Sequence, residues 1–146
     1  MNIVAITDPL SIKSLLSTCD LPTADISEAS PGRFFGILRD GQPIALIGLE
    51  LYPPTALLRS LAVAPAWRRL GLGKRLVEFA ESQARNAGIS TLYLLTTTAA
   101  AFFSRLGYAD SSRAAAPAAI AATQQFAGLC PSSSHFMSKD LASELP

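Results

Sequence analysis

The stretch SLAVAPAWRRLGLGKRLVEFA, Ser60 to Ala80, concentrates the groups able to do chemistry. An apolar strand ends at Pro65, a basic glycine-containing turn follows, and an amphipathic helix opens directly from the turn. A helix start leaves several N–H groups unpaired and carries partial positive charge. Gly71 and Gly73 remove side chains, so a ligand can approach those amides, while Arg68, Arg69 and Lys74 add full charges. These are the parts of a phosphate cradle. A nucleoside-triphosphate loop is excluded, because Gly73-Lys74 is followed by Arg75 and Arg68 stands where the first glycine belongs. A dinucleotide fingerprint is excluded too, because Leu76 replaces the third glycine after Gly71-Leu72-Gly73. The spacing that fits is R-x-x-G-x-G, Arg68 to Gly73, after an L-A-V-x-P strand end.

The flanking elements must hold that turn. Asn2 to Ile6 reads as a short strand, and Asp8-Pro9 as the cap and first position of a helix that ends near Cys19. Pro22 to Ala29 suggests a second short helix. Phe34 to Arg39 and Gln42 to Tyr52 read as strands joined by Asp40-Gly41, a two-residue hairpin signal. After Pro53-Pro54, a strand over Thr55 to Val63 sets Leu57, Arg59, Leu61 and Val63 on one face against Leu58, Ser60 and Ala62. The next helix begins between Leu70 and Gly73. It buries Leu72, Leu76, Val77, Ala80, Ala84 and Ala87, turns Lys74, Glu78, Glu81 and Arg85 outward, and ends at Gly88. STLYLL is a strand, Thr98 to Arg105 a helix capped by Gly107, and Pro117 to about Gly128 an alanine-rich helix. His135 to Leu141 closes the series as a last strand. The expected class is α/β (α+β), with antiparallel hairpins first and a crossover later.

The 146 residues form one expected domain, 1–146. Hydrophobic residues at 49% and charged residues at 16% argue against intrinsic disorder. Twelve basic and 11 acidic residues leave a net charge of +1, so no strong field draws nucleic acid or an anionic membrane. The apolar runs are short for a membrane span, and MNIVAITDPL does not read as a signal peptide. Cys19 and Cys130 read as thiols in a reducing cytoplasm, and with His135 they cannot close a His/Cys metal site. No metal is expected.

At the R-x-x-G-x-G turn the chain resembles the GNAT acyltransferase superfamily, whose acetyl-CoA motif has the form Q/R-x-x-G-x-G/A after such a strand. A second block, LLTTTAAAFFSRLGYAD (Leu94 to Asp110), is similar to the GNAT fifth strand and following helix, through Ala99, Phe102, Phe103, Gly107 and Tyr108. The resemblance covers nearly the whole chain. It implies a mixed, mostly antiparallel sheet flanked by helices, with a splayed cofactor cleft. LLRSLAV, LLTTTAAAFF and the tail APAAIAATQQFAGLCPSSSHFM resemble small GNATs associated with bacterial arsenic-resistance genes. Relatives there acetylate amino-acid-like toxins such as arsinothricin and phosphinothricin.

The resemblance implies an acetyl-CoA-dependent N-acetyltransferase that works by direct transfer to a small primary amine, as a cytoplasmic monomer or homodimer. Peptide or protein N-acetylation, and a non-catalytic acyl-CoA-binding module, are the competing readings. Coenzyme A would lie on Arg68, Arg69, Leu70, Gly71, Leu72, Gly73 and Lys74, with its pantetheine arm along Leu61, Ala62 and Val63 and beside Phe102 and Phe103. A main-chain N–H near Val63 would hold the oxyanion. Glu50, a carboxylate in an apolar strand, is the candidate base, directly or through water. Many GNATs protonate the leaving thiolate with a tyrosine where this chain has Phe103; Tyr52, Tyr93 and Tyr108 are the substitutes on offer. Arg59 needs a partner, which is either a substrate carboxylate or phosphonate-like group or Glu50 itself. Ser60 and Arg113 are further acceptor-binding candidates, and Cys130 with Ser132 to Ser134 is a candidate pocket lining.

Overall fold

Local chemistry sets the first elements. β1 is Val4–Ile6. Asp8 caps α1 (Pro9–Thr18), its side chain accepting from the Leu10 amide at 3.2 Å, and Pro9 presets the first turn. β2 (Arg33–Arg39) and β3 (Gln42–Tyr52) form a hairpin through Asp40 and Gly41, at φ 52° and 79°. β4 (Thr55–Val63), α2 (Leu72–Asn86), β5 (Thr91–Thr96) and α3 (Ala100–Arg105) follow. The chain closes with β6 (Ala109–Asp110), α4 (Ala118–Ala121) and β7 (His135–Asp140). These elements come from a computed structural model that describes residues 2–24, 26, 32–123, 125–129 and 134–141.

The seven strands make one sheet in the order β1-β2-β3-β4-β5-β7-β6. Every neighbouring pair is antiparallel except β4 and β5. A parallel pair needs a crossover, and α2 supplies it. This is the expected mixed, mostly antiparallel sheet. Its faces follow the period of two. Ala45, Ile47 and Leu49 of β3 join Leu92 and Leu94 of β5 under α2, whose Leu72, Leu76, Val77, Ala80 and Ala84 complete the main core. On the opposite face Phe34, Leu46 and Ala62 pack with Ile12, Leu15 and Leu16 of α1. Farther along that face, Leu57, Ile120 and Phe136 form a third cluster with Tyr52 and Tyr93 against it. Among the described residues no helix is long and apolar enough to cross a membrane.

Four expectations change. Alternation in β4 breaks at Ser60, which has φ 58°, so that Ser60 and Leu61 together stand opposite Ile47. The extra residue moves Leu61 and Val63 to the α2 face, with Ala56 and Leu58, and leaves Leu57 and Ala62 on the other. Glu81 is buried, not outward, because Lys139 of β7 and Tyr108 meet it there, and Ala87 is exposed at the helix end. The alanine-rich helix is only Ala118–Ala121, followed by a π-helical turn over Gln125–Leu129. Thr123 breaks the run: its Oγ1 donates to Ile120 O and accepts from the Phe126 amide. Pro22 and Thr23 are not helical and Ala24 lies in a turn; the rest of the helix expected over 22–29 falls outside the described residues, apart from Ile26, which is not helical either. Cys130, Ser132 and Ser133 also lie outside them.

Candidate active site

A cleft opens where β4 and β5 part. Their parallel pairing runs only from Thr55↔Thr91 to Leu58↔Leu94. Beyond it β4 stays with β3 as far as Val63, and β5 stays with β7 as far as Thr96. Each strand therefore keeps one satisfied edge and turns the other toward the gap. The cavity there is about 520 Å³. Arg59, Ser60 and Leu61 form its β4 wall, while Thr96, Thr97 and Thr98 form the β5 wall. Phe103 closes one end and Asp20, just after α1, sits on the rim.

The floor is built on the Ser60 bulge. Gly48 stands opposite Arg59, and a Cβ on Gly48 would come within 2.9 Å of Arg59 Cγ and 2.8 Å of the Phe34 ring. Gly48 thus makes room for the arginine, whose guanidinium carbon lies 5.6 Å from the Phe34 ring centroid. Arg59 Nη1 donates to Glu50 Oε2 at 2.8 Å, and Arg59 Nε to Ser60 Oγ at 3.1 Å. Tyr52 Oη donates to the other carboxylate oxygen, Glu50 Oε1, at 2.5 Å. The side chains of Arg59 and Glu50 are 1% and 3% exposed. A buried ion pair is tolerable only with its remaining hydrogen bonds made, and Ser60 and Tyr52 make two of them. Burial, then the hydrogen bond to Glu50 and its charge, hold the Tyr52 phenol well above its ordinary pKa. The structure thus brings Glu50, Arg59 and Ser60 together, with Arg59 and Ser60 among the residues lining the cleft and Glu50 outside that lining.

The phosphate-type turn lies at the far end of β4. Arg68 to Gly71 are all exposed, with Arg69 at φ 67° and Gly71 at φ 78°. Gly71 is the N-cap of α2 and offers no side-chain cap. The Arg75 amide is the first to close the helical ladder, on Gly71 O at 3.1 Å, so the amides of Leu72, Gly73 and Lys74 point out of the helix end. Leu72 itself is buried in the main core and anchors that end. A Cβ on Gly73 would lie 3.4 Å from the Phe102 ring and 3.9 Å from Leu61, so the start of α2 sits beside these two apolar side chains. Arg68 folds back, its Nε donating to Val63 O at 3.0 Å, where Cys19 Sγ also reaches at 3.6 Å. That contact ties the end of α1 to β4 and carries Asp20 to the rim. Exposed amides, basic side chains and the apolar Phe102 and Leu61 beside Gly73 fit an acyl-coenzyme A laid from turn to cleft.

The remaining candidates stand apart. Arg113 donates to Ser134 O at 2.8 Å and lies 5.5 Å from the Phe126 ring centroid, which binds the tail segment together outside the cleft lining. Phe103 carries no proton donor. Tyr52 Oη is engaged with Glu50, Tyr93 stacks on Phe136 at 5.3 Å, and Tyr108 Oη donates to Glu81 at 2.9 Å. Asp20 and the Thr96–Thr98 run are cleft residues that no sequence spacing announces. Asp20 reaches the site only through packing of α1 on β4.

A mixed sheet split between its parallel strands, with an exposed glycine turn opening the crossover helix, defines the GNAT fold. The family model described as Acetyltransferase (GNAT) family matches residues 7–108, and the chain belongs to that family. It is 37% identical over 106 residues to the amino-acid acetyltransferase of Pseudomonas putida, a match covering 70% of this chain and 24% of that protein. The chain thus spans about a quarter of the length of the curated relatives it matches. Among solved structures, N-acetylglutamate synthase from Neisseria gonorrhoeae, complexed with coenzyme A and N-acetyl-glutamate, superposes with a TM-score of 0.77 at 21% identity, over 97% of this chain and 35% of that one. A GNAT-family acetyltransferase from Staphylococcus aureus gives 0.73 at 18% identity, over 96% of this chain and 98% of that one.

Proposed function

We propose that the chain is an acetyl-CoA-dependent N-acetyltransferase whose acceptor is a small amino-acid-like primary amine. The observation that carries this reading is the charge pattern of the cleft. Arg59 on its β4 wall, held by Glu50, and Asp20 on its rim supply the titratable lining among the described residues. In this reading the Arg59 guanidinium meets the acceptor's carboxylate, or a phosphonate-like group, and the anionic rim meets its ammonium. The amino-acid acetyltransferase relatives and the synthase complex support the same acceptor class. The resemblance of the tail to arsenic-associated GNATs extends it to amino-acid-like toxins, acting in the cytoplasm.

In this reading coenzyme A lies on the amides and charges from Arg68 to Lys74, and its thioester arm follows Leu61, Ala62 and Val63. Asp20 receives the acceptor ammonium at the rim. The ammonium gives one proton to solvent, and the amine lone pair attacks the thioester carbonyl carbon. The tetrahedral oxyanion is held by a main-chain N–H near Val63, worth ~3–4 kcal/mol. The C–S bond then breaks, coenzyme A departs as thiolate, and the second nitrogen proton passes to that thiolate, leaving the amide and free coenzyme A thiol. An alkyl thiol with pKa ~8.5 departs without a strong acid, so Phe103 is compatible with turnover. Glu50 fixes Arg59: both its oxygens accept hydrogen bonds, one from Arg59 and one from Tyr52.

The test is thiol release from acetyl-CoA across a panel of L-amino acids, phosphinothricin and short peptides. Release with free amino acids or phosphinothricin is expected. Release only with peptides would replace the acceptor class, and coenzyme A binding without acceptor-dependent release would mark a binding module.

A further inference from the structure

Behind the apolar wall of the cleft lies a second buried ion pair, unrelated to Arg59 and Glu50. Lys139 Nζ of β7 donates to Glu81 Oε2 of α2 at 3.1 Å and to Leu106 O at 2.9 Å. Tyr108 Oη donates to the same Glu81 Oε2 at 2.9 Å, and Lys139 Nζ lies 5.6 Å from the Tyr108 ring centroid. The side chains of Lys139 and Glu81 are 10% and 6% exposed. Gly107, at φ 99°, permits this approach, since a Cβ there would sit 3.3 Å from Lys139 Cε. Glycine at this place also ends α3 by a paired closure: the Tyr108 amide bonds Phe103 O at 3.1 Å, and the Gly107 amide bonds Ser104 O at 3.1 Å. Tyr108 is thereby fixed to Phe103 through its backbone and to Glu81 through its hydroxyl.

The aromatic rings carry that fixation to the cleft. Tyr108 meets Phe103 edge-on at 5.6 Å, and Phe103 meets Phe102 edge-on at 5.1 Å. Phe103 lines the cleft, and Phe102 faces Gly73 at the opening of α2. Edge-to-face rings transmit position because each has a directional preference for its neighbour. A packed interior has little slack to absorb a shift. A hydrophobic residue at position 108 would fill the same space, yet the chain has a tyrosine bonded to a buried carboxylate.

We infer that Glu81, Lys139 and Tyr108 act together as a positioning device for the coenzyme A wall, setting Phe103 and Phe102 at the spacing that grips the thioester arm. This inference rests on the coenzyme A reading of the cleft. None of the three residues lines the cleft, so their effect on affinity travels through the two phenylalanines.

Calorimetric titration of coenzyme A into wild-type protein, Tyr108→Phe and Lys139→Met at 25 °C tests this, with thermal midpoints measured in parallel. Tyr108→Phe removes one oxygen and keeps the ring; Lys139→Met keeps an aliphatic stem over Gly107. Tyr108→Phe is expected to weaken coenzyme A binding about three- to tenfold, the scale of one lost buried hydrogen bond, and Lys139→Met, which loses its bonds to both Glu81 and Leu106 O, by at least as much. Lower midpoints with wild-type affinity at 25 °C would show a purely structural clamp and overturn the inference. Failure of the wild-type protein itself to bind coenzyme A would remove the reading of the cleft, and the inference with it.

Discussion

Glu50 Oε2 and Arg59 Nη1 lie 2.8 Å apart across the β3–β4 ladder, on the sheet face between two apolar clusters. The α1 cluster ends at Phe34 and Ala62, and the Phe136 cluster begins at Leu57 and Tyr52. The polar group fills the interval, beside the Ser60 bulge, and Arg59 and Ser60 are among the residues that line the cleft. A charge so placed is oriented before any acceptor arrives, which lowers the cost of binding an anionic group.

Arg59→Met leaves Glu50 buried without its cation. It should cost about 3–5 kcal/mol of stability, read from the urea midpoint, and abolish detectable acceptor-dependent release. Glu50→Gln preserves shape but loosens Arg59. Its expected signature is a raised KM for the acceptor with the acid limb of the pH–rate profile retained. Loss of that limb would instead make Glu50 the base, the role its place in an apolar strand first suggests.

Asp20→Asn should raise the acceptor KM several-fold while leaving the unfolding midpoint and coenzyme A affinity unchanged, because Asp20 is an exposed rim residue. An unaltered KM would take Asp20 out of acceptor binding.

The contrast between Asp20 and Arg59 shows what the sequence could carry. Arg59 was conspicuous as a cation inside an apolar strand, and the turn at Arg68–Gly73 by its glycines and charges. The hairpin and the helix starts and ends follow from short-range signals: Asp40-Gly41, Asp8-Pro9, Gly88 and Gly107. The bulge at Ser60 leaves no such mark, because one serine in alternation looks like any other. It decides which face Leu61 and Val63 occupy. Glu81 at helical spacing from Arg85 looks like a solvated residue until β7 brings Lys139 beside it. Long-range packing, not local preference, sets these positions.

Gly48→Ala places a methyl within 3 Å of both Arg59 and Phe34. Both must shift, at a cost of about 1–3 kcal/mol for overpacking. The acceptor KM should rise with it while coenzyme A affinity holds, since the turn at Arg68–Gly71 lies beyond Val63, past the Ser60 bulge. Equal losses for both ligands would show that the floor and the turn move as one body.

Tyr52 links the site to alkaline stability. Burial, the hydrogen bond to Glu50 and the nearby carboxylate favour its neutral phenol, so its folded pKa is raised above the unfolded value, against a smaller opposing effect of Arg59. Above pH ~10 the unfolded chain sheds a proton that the folded chain retains. Stability from this group is therefore complete below that pH and declines as pH rises toward the folded value. The urea midpoint of the wild type should fall above pH ~10, and Tyr52→Phe should flatten that fall.

Gly73→Ala tests the start of α2 without blocking the ligand. Position 73 is helical, and alanine is favoured over glycine in a helix by up to ~1 kcal/mol. The added methyl meets the Phe102 ring at 3.4 Å, close to ordinary contact, so the fold accommodates it. The family motif accepts glycine or alanine at this position, so the amides of the turn stay within reach of a diphosphate. Thermal midpoint should hold or rise while coenzyme A affinity stays within about threefold of wild type. Calorimetry beside thermal melts on one preparation decides it. A loss of about tenfold or more with the midpoint held would show that coenzyme A packs against Cα of residue 73 itself, and its path along the start of α2 must be redrawn.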